Sequence, residues 1–139
     1  MNVKKILIST AAVWAAGTVL GMITCGWLFN WIYMLPPMIW KTSGEILVPA
    51  NLIGSYAMGL IASLIFCSVY AFIYNGIPGA GLRKGLTYGL IVFLVGAFAG
   101  IGSMPFYMTI NTIVVIYWLI QALLMNLLNG AIVAYIYRG

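Results

Sequence analysis

Met34 with Met38 and Met104 with Met108 repeat a Met-x-x-x-Met spacing in two separate segments. Thioethers are soft ligands that suit Cu(I), and two of them one helical turn apart can face one ion, with Met22, Met58 and Cys25 as further sulfur donors. Pro36, Pro37 and Pro105 interrupt both pairs, however, and methionine serves widely as a flexible filler of irregular gaps. Packing is therefore the expected role of these four residues, and no cofactor is assigned to them. Asn51, Gln121, Asn126 and Asn129 place side-chain amides in otherwise apolar stretches, where an unmet polar group is costly and turns toward protein or water. Interhelical hydrogen bonding is the first reading of these amides. A polar pathway for a neutral solute or a dehydrated ion is the second.

The residues that are missing narrow the chemistry further. The chain has no histidine, and Glu45 is its only acid. Haem held by histidine, zinc hydrolysis, di-iron carboxylate chemistry and a Ser-His-Asp nucleophile all need side chains that are absent, so the chain is not expected to be an enzyme. Cys25 and Cys67 fall near opposite ends of their apolar runs. Their depths differ by roughly 20 Å at about 1.5 Å of rise per residue, too far for a disulfide, so both are expected as free thiols.

The elements that carry these residues follow from composition. Of 139 residues, 65% are hydrophobic and 5% charged, and the mean hydropathy is +1.14. Soluble domains hold roughly 45 to 50% apolar residues, and a chain of this length cannot hide the excess in a core. Lipid is the solvent that removes the difficulty. A spanning helix needs about 20 apolar residues, and four stretches reach that length, at about 6–29, 43–74, 86–104 and 112–137. The expected fold is all-α, a four-transmembrane-helix bundle forming one integral membrane domain over 1–139. The first run is longer than a signal-peptide core of about 7 to 15 residues, so a retained helix is expected there.

The net charge is +5, but the six basic residues form no stripe that could follow phosphates, so nucleic acid is not expected as a partner. Lys4, Lys5, Arg83, Lys84 and Arg138 all fall on one side of the four runs, and Lys41 alone falls on the other. The positive-inside rule makes the first side cytoplasmic, with both termini there, as in a multi-pass protein of a prokaryotic cytoplasmic membrane.

The loops carry their own signals. Trp27, Trp31, Tyr33 and Trp40 surround the adjacent prolines of the first loop and suit an aromatic belt at headgroup level. Thr42-Ser43-Gly44-Glu45 has the spacing of a capping box, which starts a helix near Ser43 and gives Glu45 a structural role. That helix is expected to pass through Pro49 with a kink, leaving Asn51 near the interface. Asn111 marks the same interface before the fourth run. The glycine-rich connector from Asn75 to Gly85 lacks the ending of a nucleotide loop and suits a flexible turn held against anionic headgroups by Arg83 and Lys84. Ala71-Phe72-Ile73-Tyr74-Asn75-Gly76 is echoed by Ala134-Tyr135-Ile136-Tyr137-Arg138-Gly139, which suggests two tandem hairpins.

Helices in lipid associate through close approach rather than through a hydrophobic drive, and small residues permit that approach. Gly17, Gly21 and Cys25 share a stripe on the first run, as do Ser55, Gly59, Ser63, Cys67 and Ala71 on the second. Gly85 with Gly89 and Gly96 with Gly100 mark the third, and Ala122, Asn126, Gly130 and Ala134 the fourth. These faces are the expected helix-packing surfaces.

Two local resemblances are present. The Met-x-x-x-Met pairs are similar to those of the copper transporter family, which implies Cu(I) at Met34, Met38, Met104 and Met108. Asn51-Leu52-Ile53-Gly54-Ser55-Tyr56-Ala57-Met58-Gly59 resembles a segment of small dimeric fluoride channels, which implies a dimeric ion pathway. The first run lacks the arginine of that family, and no Phe-Ser-Thr-Phe-Ser-type run lies between Leu86 and Met108. The expected function is a non-catalytic polytopic membrane protein, a packing or anchoring subunit of a homo-oligomer or of an assembly with other membrane subunits. The alternative is a small oligomeric channel or carrier for an ion or neutral solute.

Overall fold

The computed structural model describes residues 2–137, so Arg138, counted above among the basic residues of one side, lies outside the described part. Four helices are long and apolar enough to cross a membrane: Val3–Leu28, Pro49–Gly76, Gly81–Phe106 and Thr112–Ile136. The described residues include no strand.

Helix α1 (Val3–Gly21) starts where the Asn2 side chain accepts from the Lys5 backbone N–H, at 3.2 Å. It runs on as a wider π turn over Met22–Leu28. Thr24 sits in that turn and donates its hydroxyl to the Leu20 carbonyl at 2.7 Å, competing for the acceptor that backbone hydrogen bonds use. A 3₁₀ turn over Asn30–Met34 leads into the proline pair, and α2 (Ser43–Ile46) follows as a single turn. Its capping box is closed from both sides: Thr42 N–H donates to Glu45 Oε2 at 2.8 Å and Glu45 N–H to Thr42 Oγ1 at 3.4 Å.

The helix that starts in this way does not pass through Pro49. It ends at Ile46, Val48 is extended at φ −58° and ψ 130°, and α3 (Pro49–Ile73) opens with Pro49 in its first turn. Proline disfavours the α conformation in the residue before it but fits a helix start, where its missing N–H would have no partner anyway. A break replaces the expected kink. Asn51 ties the two pieces together, donating Nδ2 to the Glu45 carbonyl at 2.6 Å and accepting from Lys41 Nζ at 3.1 Å.

Helix α4 (Gly81–Val92) begins earlier than the expected 86, so Arg83 and Lys84 lie in its first turn and not in a flexible connector. The turn before it needs Gly79 at φ +95° and Gly81 at φ +52°, which side chains with a Cβ rarely adopt. Lys84 reaches back to donate to the Tyr74 carbonyl at 2.8 Å and lies 4.0 Å above the Tyr74 ring. Beyond a π turn over Phe93–Phe98, α5 (Ala99–Ser103) completes the third long helix with a 3₁₀ turn at Met104–Phe106. Asn111 caps α6 (Thr112–Ile136), accepting from Ile113 N–H at 2.9 Å, and donates to the Pro36 carbonyl at 3.2 Å.

The most extensive contacts join sequence neighbours, α4 with α6 and α1 with α3, and α1 against α6 unites the two pairs. Asn2 N–H donates to the Tyr137 hydroxyl at 3.3 Å, and the Tyr70 ring lies 6.1 Å from that of Tyr137, so both ends of the described chain meet the turn after α3 at one end of the bundle. The core is concentrated toward this end, where Ile6, Cys67, Tyr70, Ile77, Tyr88, Val133 and Ala134 are buried together. Tyr88 donates its hydroxyl to the Phe66 carbonyl at 2.8 Å, and its ring stands 5.2 Å from that of Tyr70. Aromatic contacts of this kind contribute about 0.5–1.5 kcal/mol each. Phe72 and Val95, 84% and 77% exposed, face outward as lipid-facing residues should.

Candidate functional site

Two polar groupings lie within the bundle. The first is a cleft of about 280 Å³ lined by Val13, Trp14, Gly17, Thr18, Gly59, Ser63, Met125 and Asn129. Helices α1, α3 and α6 each contribute a stretch from near mid-length, so the cleft falls at the centre of the apolar layer. Glycine at 17 and 59 makes the room: a Cβ on Gly17 would stand 3.4 Å from Met125 Cε, and one on Gly59 3.5 Å from the Trp14 ring. Trp14 Nε1 donates to the Tyr56 carbonyl at 3.1 Å, which fixes the indole as a wall. Ser63 donates to the Gly59 carbonyl at 2.8 Å. Asn129 Oδ1 is buried with no hydrogen-bond partner among the described residues, as are Ser9 Oγ and Thr10 Oγ1.

The second grouping surrounds Cys25 in the π turn of the first long helix. Its Sγ lies 3.1 Å from Gln121 Nε2, 3.3 Å from Gln121 Oε1 and 3.6 Å from the Tyr117 hydroxyl. Gln121 Nε2 also donates to Thr24 Oγ1 at 2.9 Å. Trp118 Nε1 donates to the Tyr33 hydroxyl at 3.0 Å, and Trp40 packs edge-on against both Tyr33 and Trp118, with centroids 5.1 and 5.4 Å away. Burial, and then the hydrogen bond with Cys25, hold the Tyr33 hydroxyl well above the usual tyrosine range. No imidazole or carboxylate adjoins the thiol to take its proton, which leaves it as a hydrogen-bonded junction between the first and fourth long helices.

The four amides singled out from the sequence take different places. Gln121 and Asn129 lie toward α1, Gln121 at the Cys25 junction and Asn129 in the cleft. Asn126 donates to the Ala122 carbonyl at 2.8 Å, and its backbone lies against Gly89 of α4. Asn51 holds α2 to α3. They do not form one line of polar side chains. The methionine pairs also differ from each other. Met108 N–H donates to the Met104 carbonyl at 2.9 Å, so that pair shares a turn, whereas Met34 ends a 3₁₀ turn and extended Leu35 separates it from Met38. Met34 and Met38 are 61% and 68% exposed.

The small-residue positions divide in a similar way. Gly85 and Gly130 meet so closely that a Cβ on either would overlap the other's carbonyl, and one on Gly89 would overlap the carbonyl of Asn126. Gly17 and Gly59 border the cleft with Ser63. Gly21, Gly96 and Gly100 have open space where a Cβ would stand. Ser55 is exposed and donates to the Asn51 carbonyl at 2.8 Å. Sequence reasoning did not assign roles to Trp14, Thr18, Thr24 or Tyr117. The available signal was depth, since antiparallel packing brings the start of the fourth run level with the end of the first.

Comparison of the chain with protein-family models, with curated proteins and with solved structures found no match in any of the three.

Proposed function

We propose that this polytopic protein is a non-catalytic packing or anchoring subunit of a membrane assembly, either a homo-oligomer or a complex with other membrane chains. One observation supports the reading above the rest. On the third long helix, Gly85 and Gly89 are covered by α6, while Gly96 and Gly100, one turn apart and further along, have nothing beside them. In lipid, such a face gains contact area when a second helix approaches it, because helix association there rests on close van der Waals packing. The sidedness we propose places the termini end in the cytoplasm, since Lys4, Lys5, Arg83 and Lys84 lie toward it and Lys41 toward the other end. A prokaryotic cytoplasmic membrane is the proposed location. The size of the complex extracted under native conditions tests the reading.

The alternative of a small oligomeric channel or carrier draws support from the mid-length cleft and the uncharged polar groups of Asn129 and Ser63. Within one chain the cleft gives onto the buried layer of Cys67, Tyr88 and Val133 toward the termini end, so passage would need a path made between subunits. Proteoliposome flux of neutral solutes and ions distinguishes this alternative from the first.

A further inference from the structure

We infer that the cleft between α1, α3 and α6 binds an uncharged, hydroxyl-bearing lipophile that reaches it from the surrounding lipid, its hydroxyl group hydrogen-bonded to Asn129. The inference stands apart from the assembly reading and does not depend on it.

The walls define the ligand. No charged residue lines the cleft, and its three helices contribute their middle turns, so a charged ligand would lie in the apolar layer without a counter-ion. Asn129 Oδ1 is buried with no partner among the described residues, an arrangement that favours a ligand able to donate a hydrogen bond. Ser63 has committed its proton to the Gly59 carbonyl at 2.8 Å, so toward the cleft its oxygen can only accept. A hydroxyl group donates and accepts, and it therefore suits the Asn129 amide in either orientation. Val13, Trp14 and Met125 offer apolar surface beside these acceptors, and the two glycines leave space for a carbon skeleton. Water alone fits poorly: its share of liquid volume is about 30 Å³, against about 280 Å³ of cleft with apolar walls.

The test uses the full chain in phosphatidylcholine liposomes, photolabelled with a diazirine-bearing octanol, with the matching diazirine octane as control; labelled residues are located by mass spectrometry. Expected is octanol labelling at Trp14 and Met125 that unlabelled 1-octanol competes and octane does not. Asn129→Leu should weaken that competition about fivefold, the equivalent of one net hydrogen bond of about 1 kcal/mol. Gly17→Leu, which fills the cleft against only the flexible end of Met125, should abolish it while leaving Asn129 in place. If Asn129→Leu does not fold, Gly17→Leu and the alkane control still decide. Equal competition by octane, labelling that follows lipid exposure at Phe72 and Val95, or unchanged labelling in Gly17→Leu would each overturn the inference.

Discussion

Gly85 and Gly130 set the distance between α4 and α6: each presents its bare Cα to the other's carbonyl, with no room for a methyl group. Contact this close lets the two helices pack backbone to backbone in a solvent that supplies no hydrophobic drive. Gly85→Ala or Gly130→Ala should therefore destabilise the bundle by about 1–3 kcal/mol, the usual cost of overpacking. The two changes should be strongly non-additive, because one methyl already forces the helices apart. Unfolding of the detergent-solubilised variants by graded denaturant measures both effects, and additive losses would contradict a shared contact.

Gly96→Ala gives the opposite sign. With open space beside Gly96, the methyl meets nothing within one chain and should stabilise the helix by up to about 1 kcal/mol through propensity. The same denaturant titration should show Gly96→Ala no less stable than the native chain and Gly85→Ala clearly less so.

The two thiols should differ in reactivity. Cys67 is 0% exposed, while Cys25 is partly exposed at the Gln121 junction. Membrane-permeant N-ethylmaleimide should modify Cys25 alone in the folded protein and both residues after denaturation, as read by intact mass. Gln121→Leu should speed the reaction at Cys25 by releasing the sulfur from its amide neighbour, and equal rates at the two thiols would refute the burial of Cys67.

Glu45 provides a pH test. Hydrogen bonds from the Thr42 hydroxyl and then from the Thr42 backbone N–H hold its carboxyl below the usual carboxylate range. The folded value is depressed, so the contribution of the capping box is present above the unfolded value and is lost as pH falls through the folded one. Carbon-13 titration of the Glu45 carboxyl should show a midpoint below that of a free glutamate. Thr42→Ala should move it upward, and an unmoved midpoint would separate the carboxyl from the box.

The four long helices were legible because each apolar run has the length that hydrocarbon thickness demands, and the capping box was legible because its partners are three residues apart. The break at Pro49 was not. Proline forbids a regular helix on its N-terminal side, but whether the chain bends or stops depends here on Asn51 reaching Glu45 and Lys41 across the gap. Small-residue stripes look alike in sequence. Which of them are covered depends on the register of α4 against α6, so Gly85 and Gly96 look equivalent until the helices are placed. The approach of Cys25 to Gln121, 96 positions apart, and the orphaned oxygen of Asn129 likewise depend on register and side-chain direction that no local pattern encodes.

Native mass spectrometry of the protein extracted in mild detergent, beside the Gly96→Leu/Gly100→Leu double variant, tests the assembly claim most directly. The account predicts a defined complex, of this chain with itself or with other membrane subunits, for the native protein. It predicts a folded but solitary chain for the double variant, whose new side chains cover the open face while leaving the Gly85–Gly130 contact intact. A stable lone monomer of the native protein with no co-purifying chain, or a complex that the double substitution leaves unchanged, would contradict it.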